Sequence, residues 1–425
     1  MKVALLDDSF EKLAKKFPPG FEKALKWVVH KKLKGLSHGF IEIDEGNVVT
    51  SFGDPSSSVK CRIQIHNPKF YTLVALEGSI GAGESYIHGY WDCDNLTNLI
   101  RIFILNRESM TAIESGWAKI SYPFLKIYHS TRKNTVTGSS NNIEAHYDLG
   151  NDFFSLFLDE TMTYSCGIFA NETSTMKEAS IEKYDRICRK LKLNADDHII
   201  EIGTGWGSFA IHAVQNYGCR VTTTTISKNQ YSYARERVEK LGLSERIKVQ
   251  LKDYRLLEGQ YDKLVSIEMI EAVGHEFYQD FFKVCSRLLK DDGQVLIQAI
   301  TIRDQIYDAA RRSVDFIQRF IFPGSCIPSI LQLSHVASHH TDLNMIHLED
   351  ITQNYPPTLR YWRDQMKLNE ATILKAGYPP AIIRMWNFYL AYCEGGFIER
   401  NVGDVQMMFA KSGWRGNSPL GDISK

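Results

Sequence analysis

Apolar residues between positions 198 and 302 fall into short runs that alternate with amphipathic stretches. Short runs rich in β-branched residues are typical of buried strands, whereas apolar residues three or four apart indicate helices. The predicted order is strand "DHIIEIG", helix "SFAIHAVQNYG", strand "CRVTTTTIS", helix "NQYSYARERVEKLG", strands "RIKVQLKDY" and "DKLVSIEMI", helix "EFYQDFFKVCSRLLK" and strand "GQVLIQAITI". This alternation predicts an α/β fold with a parallel, doubly wound sheet.

The chain on either side of this region follows other patterns. Downstream we predict helical "DAARRSVDFIQRFIF", a strand "LNMIHLED", a helical region at 358–393 and a closing strand "DVQMMFAK". Upstream, short strand-like pieces punctuated by Gly, Pro and Asn predict a β-rich region, namely "GFIEIDEG", "VVTSFG", "KCRIQIHN" and "FYTLVAL". Residues 96–131 look helical, and "STRKNTVTGSSNN" has the composition of a linker. We therefore predict a smaller α+β domain at 1–130, a linker at 131–145 and the α/β domain at 146–425.

In the first 37 residues the break "PPG" predicts two short helices, the second of them rich in lysine. Apolar residues such as Leu25 and Trp27 share it with lysines such as Lys23 and Lys31. A basic amphipathic helix can lie on an anionic bilayer with its lysines near phosphates. A helix packed on its own domain with solvated lysines explains the pattern equally well.

Composition narrows the functional classes. Lys plus Arg equals Asp plus Glu at 50 each, so the overall charge does not favour nucleic acid. The eight cysteines lack CxxC pairs and the N-terminus lacks a signal-peptide pattern, which predicts reduced thiols, a cytoplasmic protein and no metal. No apolar run approaches the length of a spanning helix, so any membrane contact is expected to be peripheral.

A glycine loop follows the first predicted strand of the sheet. In "EIGTGWGS", Gly203, Gly205 and Gly207 precede a helix, where missing side chains let a ligand approach the backbone. Such glycines can also serve helix packing alone. The spacing is G-x-G-x-G, not G-x-G-x-x-G, and no acid ends the second strand, which favours S-adenosylmethionine over a nicotinamide cofactor. Polar residues at predicted strand ends could bind it: Glu201, Thr225, Gln230, Asp253 and Tyr254.

The segment "HYDLGNDFFSLFLDETMTYSCGIF", residues 146–169, is unusually polar for a stretch so rich in aromatics. Polar groups are costly to bury without partners. Together with "EIGTGWGSFA", "TISKNQ", "EMIEAVGHEFY", "FIFPGSCIPS" and "NYPPTLRYW", it resembles the cyclopropane-fatty-acyl-phospholipid synthase family in order and spacing. The N-terminal region is similar to the extra domain of the full-length bacterial enzymes.

The resemblance implies a class I methyltransferase Rossmann-like fold and a defined chemistry. The expected reaction transfers a methylene group from S-adenosylmethionine to a cis double bond of an unsaturated phospholipid acyl chain, forming a cyclopropane ring. The expected partners are the phospholipid, the inner membrane surface as a peripheral contact, and a second copy of the chain in a homodimer. A bound bicarbonate ion is expected to deprotonate the carbocation formed on the chain.

The resemblance also implies site residues. The bicarbonate ligands correspond to Cys166, Glu271, Gln298, Ile300 and Tyr355. The cofactor contacts correspond to Tyr164, Ser165, Gly203, Thr204, Gly205, Thr225, Gln230 and Tyr254. Cys393 is a further active-site candidate without a clear chemical task. Residues 146–169 are expected to form a flap over the cofactor, with residues 146–152 bracing it.

Two residues depart from the family pattern, and several assignments have simpler alternatives. Better-known members have histidine at the position of Gln298, and many relatives have histidine at the position of Ala272, after the glutamate. Cys166 could be an inert buried thiol, and Glu271 could anchor a helix start. Tyr355 precedes a proline, which predicts an extended backbone at Tyr355. Its side chain could then be a surface aromatic with no role in the site.

Two other functions remain open at this point. One is methylation of an unsaturated acyl chain without ring closure, or of another small molecule. The other is a lipid-binding protein without catalytic activity.

Overall fold

The computed structural model describes residues 21–107, 149–417 and 419. The predicted linker at 131–145, the first helix of the N-terminal pair and residues 146–148 of the predicted brace lie outside them.

The strands are β1 Phe40–Asp44, β2 Val49–Gly53, β3 Lys60–Ile65, β4 Trp91–Cys93, β5 His198–Ile202, β6 Arg220–Thr225, β7 Ile247–Leu251, β8 Tyr261–Ile267, β9 Leu289–Ile302, β10 Asn344–Asp350 and β11 Val402–Ala410. The α-helices are α1 Phe21–Leu33, α2 Lys69–Glu77, α3 Ser79–Ile87, α4 Leu96–Leu105, α5 Asn151–Ser155, α6 Met176–Leu191, α7 Ser208–Tyr217, α8 Lys228–Lys240, α9 Tyr278–Leu288, α10 Asp304–Ala310, α11 Phe316–Phe320, α12 Ile330–His340, α13 Tyr355–Leu368, α14 Glu370–Lys375 and α15 Pro380–Ile398.

The chain forms two compact units whose boundaries differ from the predicted ones. The first unit comprises the N-terminal segment together with residues 313–323 and 366–401. Its four-stranded sheet has the order β2-β1-β3-β4, with β1 and β3 parallel. The apolar helix α15 packs on α3 and α4, and Thr97 donates a 2.7 Å hydrogen bond to Glu394 within this unit. Contacts between segments so far apart in sequence leave no local pattern.

One predicted strand of the first unit is wrong. The run "FYTLVAL" lies within helix α2, which follows Pro68 at φ −63°. A continuous apolar run fits a buried strand and a buried helix equally well, so periodicity does not separate the two. Pro68 has a backbone angle that suits the start of a helix.

The second unit is built on a seven-stranded sheet of order β10-β11-β9-β8-β5-β6-β7. Strands β7, β6, β5, β8 and β9 run parallel, whereas β11 is antiparallel to β9 and β10. Consecutive residues such as Ile199 and Ile200 belong to different hydrophobic clusters on opposite faces. Both faces are buried, which explains why these strands read as continuous apolar runs. The predicted doubly wound α/β fold is confirmed.

Helix α1 confirms the second predicted N-terminal helix. Within the described part of the chain, no helix is both long and apolar enough to cross a bilayer.

Candidate active site

The glycine loop joins the end of β5 to helix α7. Gly203, Gly205 and Gly207 have φ of +104°, +52° and +88°, values that favour glycine. The amides of Gly203 and Thr204 both donate to the carbonyl of Thr224, at 3.0 Å. A Cβ atom placed on Gly205 would meet no heavy atom within 4 Å. The backbone here is therefore approachable by a ligand.

Polar side chains lie at the ends of the strands beside this loop. Thr225 donates to the Oε1 atom of Gln230 at 2.8 Å. The buried phenol oxygen of Tyr254 has no hydrogen-bond partner among the described residues. A buried polar atom without a partner is uncommon in a native fold and is relieved by a ligand that can pair with it. Glu201 accepts from Thr223 at 2.6 Å, and burial raises its pKa to about 8.

Residues 149–169 pack against the glycine loop. The indole of Trp206 donates to Asn151 at 2.8 Å, and its ring lies 5.1 Å from that of Phe154. Arg237 donates to the carbonyl of Thr161 at 3.1 Å, and that carbonyl also accepts from Ser208. Hydrogen bonds thus join the segment to Trp206 of the loop and to helices α7 and α8. Its role as a flap over the cofactor stays a prediction.

The middle of this segment carries two of the predicted cofactor contacts. The ring of Tyr164 lies 5.1 Å from that of Trp362. Ser165 accepts a 2.5 Å hydrogen bond from Lys183, whose side chain is fully buried. Burial lowers the pKa of Lys183 to about 8, against the raising effect of nearby acids.

Lys183, which was not predicted as a site residue, lies on α6 among buried residues such as Ile187. Its position on the apolar face of an amphipathic helix could have indicated a buried lysine. Lys190 lies on the same face and is also buried.

Three predicted site residues converge on a carboxylate that was not predicted. Glu268 follows directly on β8, and its Oε1 atom accepts from the amide of Cys166 and from Nε2 of Gln298, both at 2.8 Å. Its Oε2 atom accepts from the hydroxyl of Tyr355 at 2.6 Å. The structure thus brings Cys166, Gln298 and Tyr355 together, as expected, but around a side chain of the protein itself.

Two further acids lie beside Glu268. Glu271 accepts a hydrogen bond from the amide of Ile300, and burial followed by the charge of Glu268 raises its pKa to about 8. Asp404 lies on β11 opposite Ile300 and is fully buried. Burial and then Glu268 and Glu271 raise the pKa of Asp404 well above its ordinary value. Each acid has one oxygen without a hydrogen-bond partner among the described residues.

A chain of amides fixes the orientation of Gln298. Lys190 can only donate, and it donates to Oε1 of Gln406 at 2.7 Å. The amide nitrogen of Gln406 then donates to Oε1 of Gln298 at 3.0 Å. Gln298 is therefore left with its NH₂ group facing the acids, at 2.8 Å from Glu268 and 3.2 Å from Asp404.

The remaining predicted residues have different surroundings. The buried thiol of Cys166 donates to the carbonyl of Gly167 at 3.2 Å, and burial raises its pKa well above the ordinary value. It is the amide of Cys166, not the thiol, that faces the carboxylate. Cys393 lies on α15 in the first unit, where burial and Asp315 raise its pKa. Its catalytic role stays a prediction.

The predicted extended backbone at Tyr355 is wrong. Its φ and ψ are −72° and −42°, and it begins helix α13. Prolines at 356 and 357 fit the first turn of a helix, whose amides have no partner within the helix. The side chain is buried, not a surface aromatic.

A parallel sheet of this order, with a glycine loop after β5 and polar groups at the strand ends, is the fold of class I methyltransferases. The solved structure of mycolic acid cyclopropane synthase CmaA1, complexed with SAH and CTAB, has a TM-score of 0.60 and 31% sequence identity to the chain. The match covers 64% of this chain and 98% of that protein.

The sequence model of the mycolic acid cyclopropane synthetase family matches residues 134–407. The tuberculostearic acid methyltransferase of Mycobacterium tuberculosis is 35% identical over 78% of this chain and 79% of its own length. The cyclopropane-fatty-acyl-phospholipid synthase of Escherichia coli is 32% identical over 84% of this chain and 89% of its own. The chain belongs to the cyclopropane synthetase family, which confirms the predicted family and an enzyme.

Proposed function

We propose that this enzyme transfers a one-carbon unit from S-adenosylmethionine to the cis double bond of an unsaturated phospholipid acyl chain and closes a cyclopropane ring. The observation that carries the proposal is a cluster of three carboxyl groups, Glu268, Glu271 and Asp404, beside the ends of β8 and β9, on the same sheet as the glycine loop. The E. coli relative bears the name of this activity. The CmaA1 structure, with SAH bound, supports the cofactor.

The cofactor would lie at the glycine loop. The open space at Gly205 and the phenol of Tyr254, unpaired among the described residues, fit a ligand with hydrogen-bonding groups. Gly203 and Thr204 are proposed contacts because they lie beside Gly205 in the same loop. Four other residues are proposed contacts on the same grounds of position: Tyr164, Ser165, Thr225 and Gln230. When bound, S-adenosylmethionine supplies an electrophilic methyl group.

Ring closure needs a base and a dry pocket. An alkene that takes up a methyl group leaves a carbocation on the acyl chain, which water would otherwise capture. The packed rings of Tyr164, Phe154 and Trp362 exclude water and can stabilise a cation with their faces. A base must then take a proton from the added methyl group so that its C–H electron pair closes the ring.

The bicarbonate ion that the family resemblance implied does not fit the described pocket. Three of its expected holders, Cys166, Gln298 and Tyr355, already donate to Glu268. A fourth, the amide of Ile300, donates to Glu271. A further anion would lie among carboxyl groups with its donors taken, which is costly in a buried site. No step is therefore assigned to bicarbonate.

Access to a phospholipid would come from the membrane surface, on its cytoplasmic side. Helix α1 supports this part of the proposal, because Trp27 is 62% exposed and Lys31 lies 4.9 Å from its ring centre. An exposed tryptophan beside lysines suits the interface between headgroups and acyl chains. The homodimer stays a prediction.

A second candidate is methyl transfer without ring closure. One observation favours it: the relative named tuberculostearic acid methyltransferase is 35% identical. The family resemblance adds that Gln298, a neutral amide, stands where a histidine was expected. In that case the carbocation would lose a proton to give a methylene-branched or methylated alkene.

Mass spectrometry of lipids separates these outcomes. Purified protein would be incubated with S-adenosylmethionine and vesicles of a cis-monounsaturated phospholipid. We expect a product heavier by CH₂ that resists mild catalytic hydrogenation, as a cyclopropane does. A product that takes up hydrogen would favour the second candidate, and no mass change with any unsaturated lipid would contradict both.

A further inference from the structure

We propose that the carboxylate of Glu268 is itself the base that removes the proton from the added methyl group. This inference rests on the proposed function and deepens it. It assigns the proton-accepting role to a side chain of the chain, in the place where the family resemblance implied a bicarbonate ion.

The first support is geometric. An ionised carboxylate and a bicarbonate ion present the same planar pair of oxygens to donors. Both oxygens of Glu268 are held, one by the amide of Cys166 and by Gln298 at 2.8 Å, the other by Tyr355 at 2.6 Å. These are three of the groups assigned to the bicarbonate from the sequence. The same three donors are therefore present, but they bind the carboxylate of Glu268 and not a free anion.

The orientation of Gln298 is a second support. Because Lys190 forces the amide of Gln406 to donate to Gln298, the latter can only offer its NH₂ group to the acids. A neutral donor fixed in this way holds an anion without supplying a proton that could neutralise it. This is the orientation that a carboxylate base requires.

Charge balance points the same way. Lys183 is the buried cation whose charge acts on Glu268 and Asp404. Burial, and also the charge of Glu268, raises the pKa of both Glu271 and Asp404, which favours the neutral carboxyl at each. A bicarbonate ion placed here would add a further negative charge beside three acids, which is costly unless the ion is fully paired.

The backbone at Glu268 is the fourth support. Its φ of +47° lies in the left-handed region, which is strained for a residue with a Cβ atom. Its amide donates to the carbonyl of Gln298 at 2.8 Å, which holds this turn at the end of β8. Strained backbone that the surrounding structure enforces clusters at functional sites.

The step balances without a further reactant. The π electrons of the alkene form the new C–C bond as the S–CH₃ bond breaks, and its electron pair stays on sulfur. A carboxylate oxygen of Glu268 then takes a proton from the added methyl group. The C–H electron pair closes the ring onto the cationic carbon, and the protonated Glu268 releases its proton to solvent before the next turnover.

The test compares bicarbonate dependence with loss of the carboxylate. In buffer freed of carbon dioxide, we expect the wild-type enzyme to keep its turnover within twofold of that with added bicarbonate. Glu268→Gln should lose 10²-fold to 10⁴-fold in turnover, the usual range for a general base, with S-adenosylmethionine affinity unchanged. Glu268→Gly should be equally slow and should regain turnover with added bicarbonate or formate.

Glu276→Gln, at an exposed glutamate, is the matched control and should match the wild type. A wild-type enzyme that stops without bicarbonate, or a Glu268→Gln enzyme that keeps its turnover, would overturn the inference. If the Glu268 variants do not fold, the wild-type measurement alone still decides. A wild-type enzyme that alkylates no unsaturated lipid in either buffer would instead overturn the proposed function.

Discussion

Among single residues, the arrangement of the carboxylate site depends on which of two glutamates faces the donors Cys166, Gln298 and Tyr355. "EMIEA" contains two glutamates, and the family resemblance implied a role for Glu271 alone. The structure pairs Glu271 with the amide of Ile300 and gives the other donors to Glu268. The positive φ that directs Glu268 inward has no signature in sequence. Cys166, Gln298 and Tyr355 were selected only through the family resemblance, because the residues alone left simpler alternatives open.

Tyr355→Phe tests the hydrogen bond from the Tyr355 hydroxyl to the carboxylate of Glu268. Removing a hydrogen bond to a charged group costs about 1.5–3 kcal/mol, so we expect turnover to fall by about 10-fold to 150-fold. Cofactor affinity should change little, because the hydroxyl contacts Glu268 and not the glycine loop. Kinetics and calorimetry would be compared with Tyr361→Phe, on the same helix. Equal losses in turnover and cofactor affinity would contradict this role.

Glu271 gives a pH-dependent stability. The fold raises its pKa from 4.5 to about 8, so it favours the protonated carboxyl. Its contribution is therefore full below pH 4.5 and is lost as pH rises toward 8, by at most about 1.4 kcal/mol per pH unit. The Tm of the wild type should fall relative to that of Glu271→Gln between pH 5 and pH 8. A constant difference across this range would refute the assignment.

At the element scale, local patterns predicted the strands of the large sheet and the glycine loop well. Apolar runs between turn residues have few other interpretations when both faces of a sheet are buried. The predicted strand "FYTLVAL" was wrong because the same apolar run suits a buried helix. The predicted extended backbone at Tyr355 was wrong because a helix can begin just before two prolines. The antiparallel direction of β11 depends on tertiary packing.

Two glycines of the loop should respond differently to alanine. At Gly205 a Cβ atom meets nothing within 4 Å, so Gly205→Ala should cost roughly 1 kcal/mol of stability from its φ of +52° alone. If the cofactor lies there, its Kd should rise at least about 10-fold, which is about 1.4 kcal/mol. Gly207→Ala places a Cβ atom 3.2 Å from that of Ala234 at φ +88°, so it should lose more stability. Thermal unfolding and calorimetry check both, and an unchanged Kd for Gly205→Ala would contradict the cofactor position.

At the scale of the whole molecule, sequence predicted two domains but not their true membership. Residues 313–323 and 366–401 belong to the first unit, although they interrupt the second in sequence. The sequence of the apolar helix α15 does not indicate which elements the helix packs against. Long-range packing of this kind is fixed by complementary surfaces, which a single sequence does not display.

Membrane contact is a property of the whole molecule and can be tested on α1. We expect Trp27→Ser combined with Lys31→Gln to weaken binding to anionic vesicles several-fold, with less effect on zwitterionic ones. Cosedimentation at two salt concentrations would measure it. Leu331→Ser, at a residue 66% exposed on α12, is the control for loss of an exposed apolar side chain. Equal binding of both variants to anionic vesicles would rule out α1 as the contact.

The proposed reaction adds a one-carbon unit to a lipid double bond and takes a proton from that carbon. It can be tested with S-adenosylmethionine that carries a CD₃ group, by mass spectrometry of the lipid product. We expect the product to gain CD₂, with one deuterium lost to the base, and to resist hydrogenation. A product that keeps CD₃, or an unchanged lipid, would contradict it.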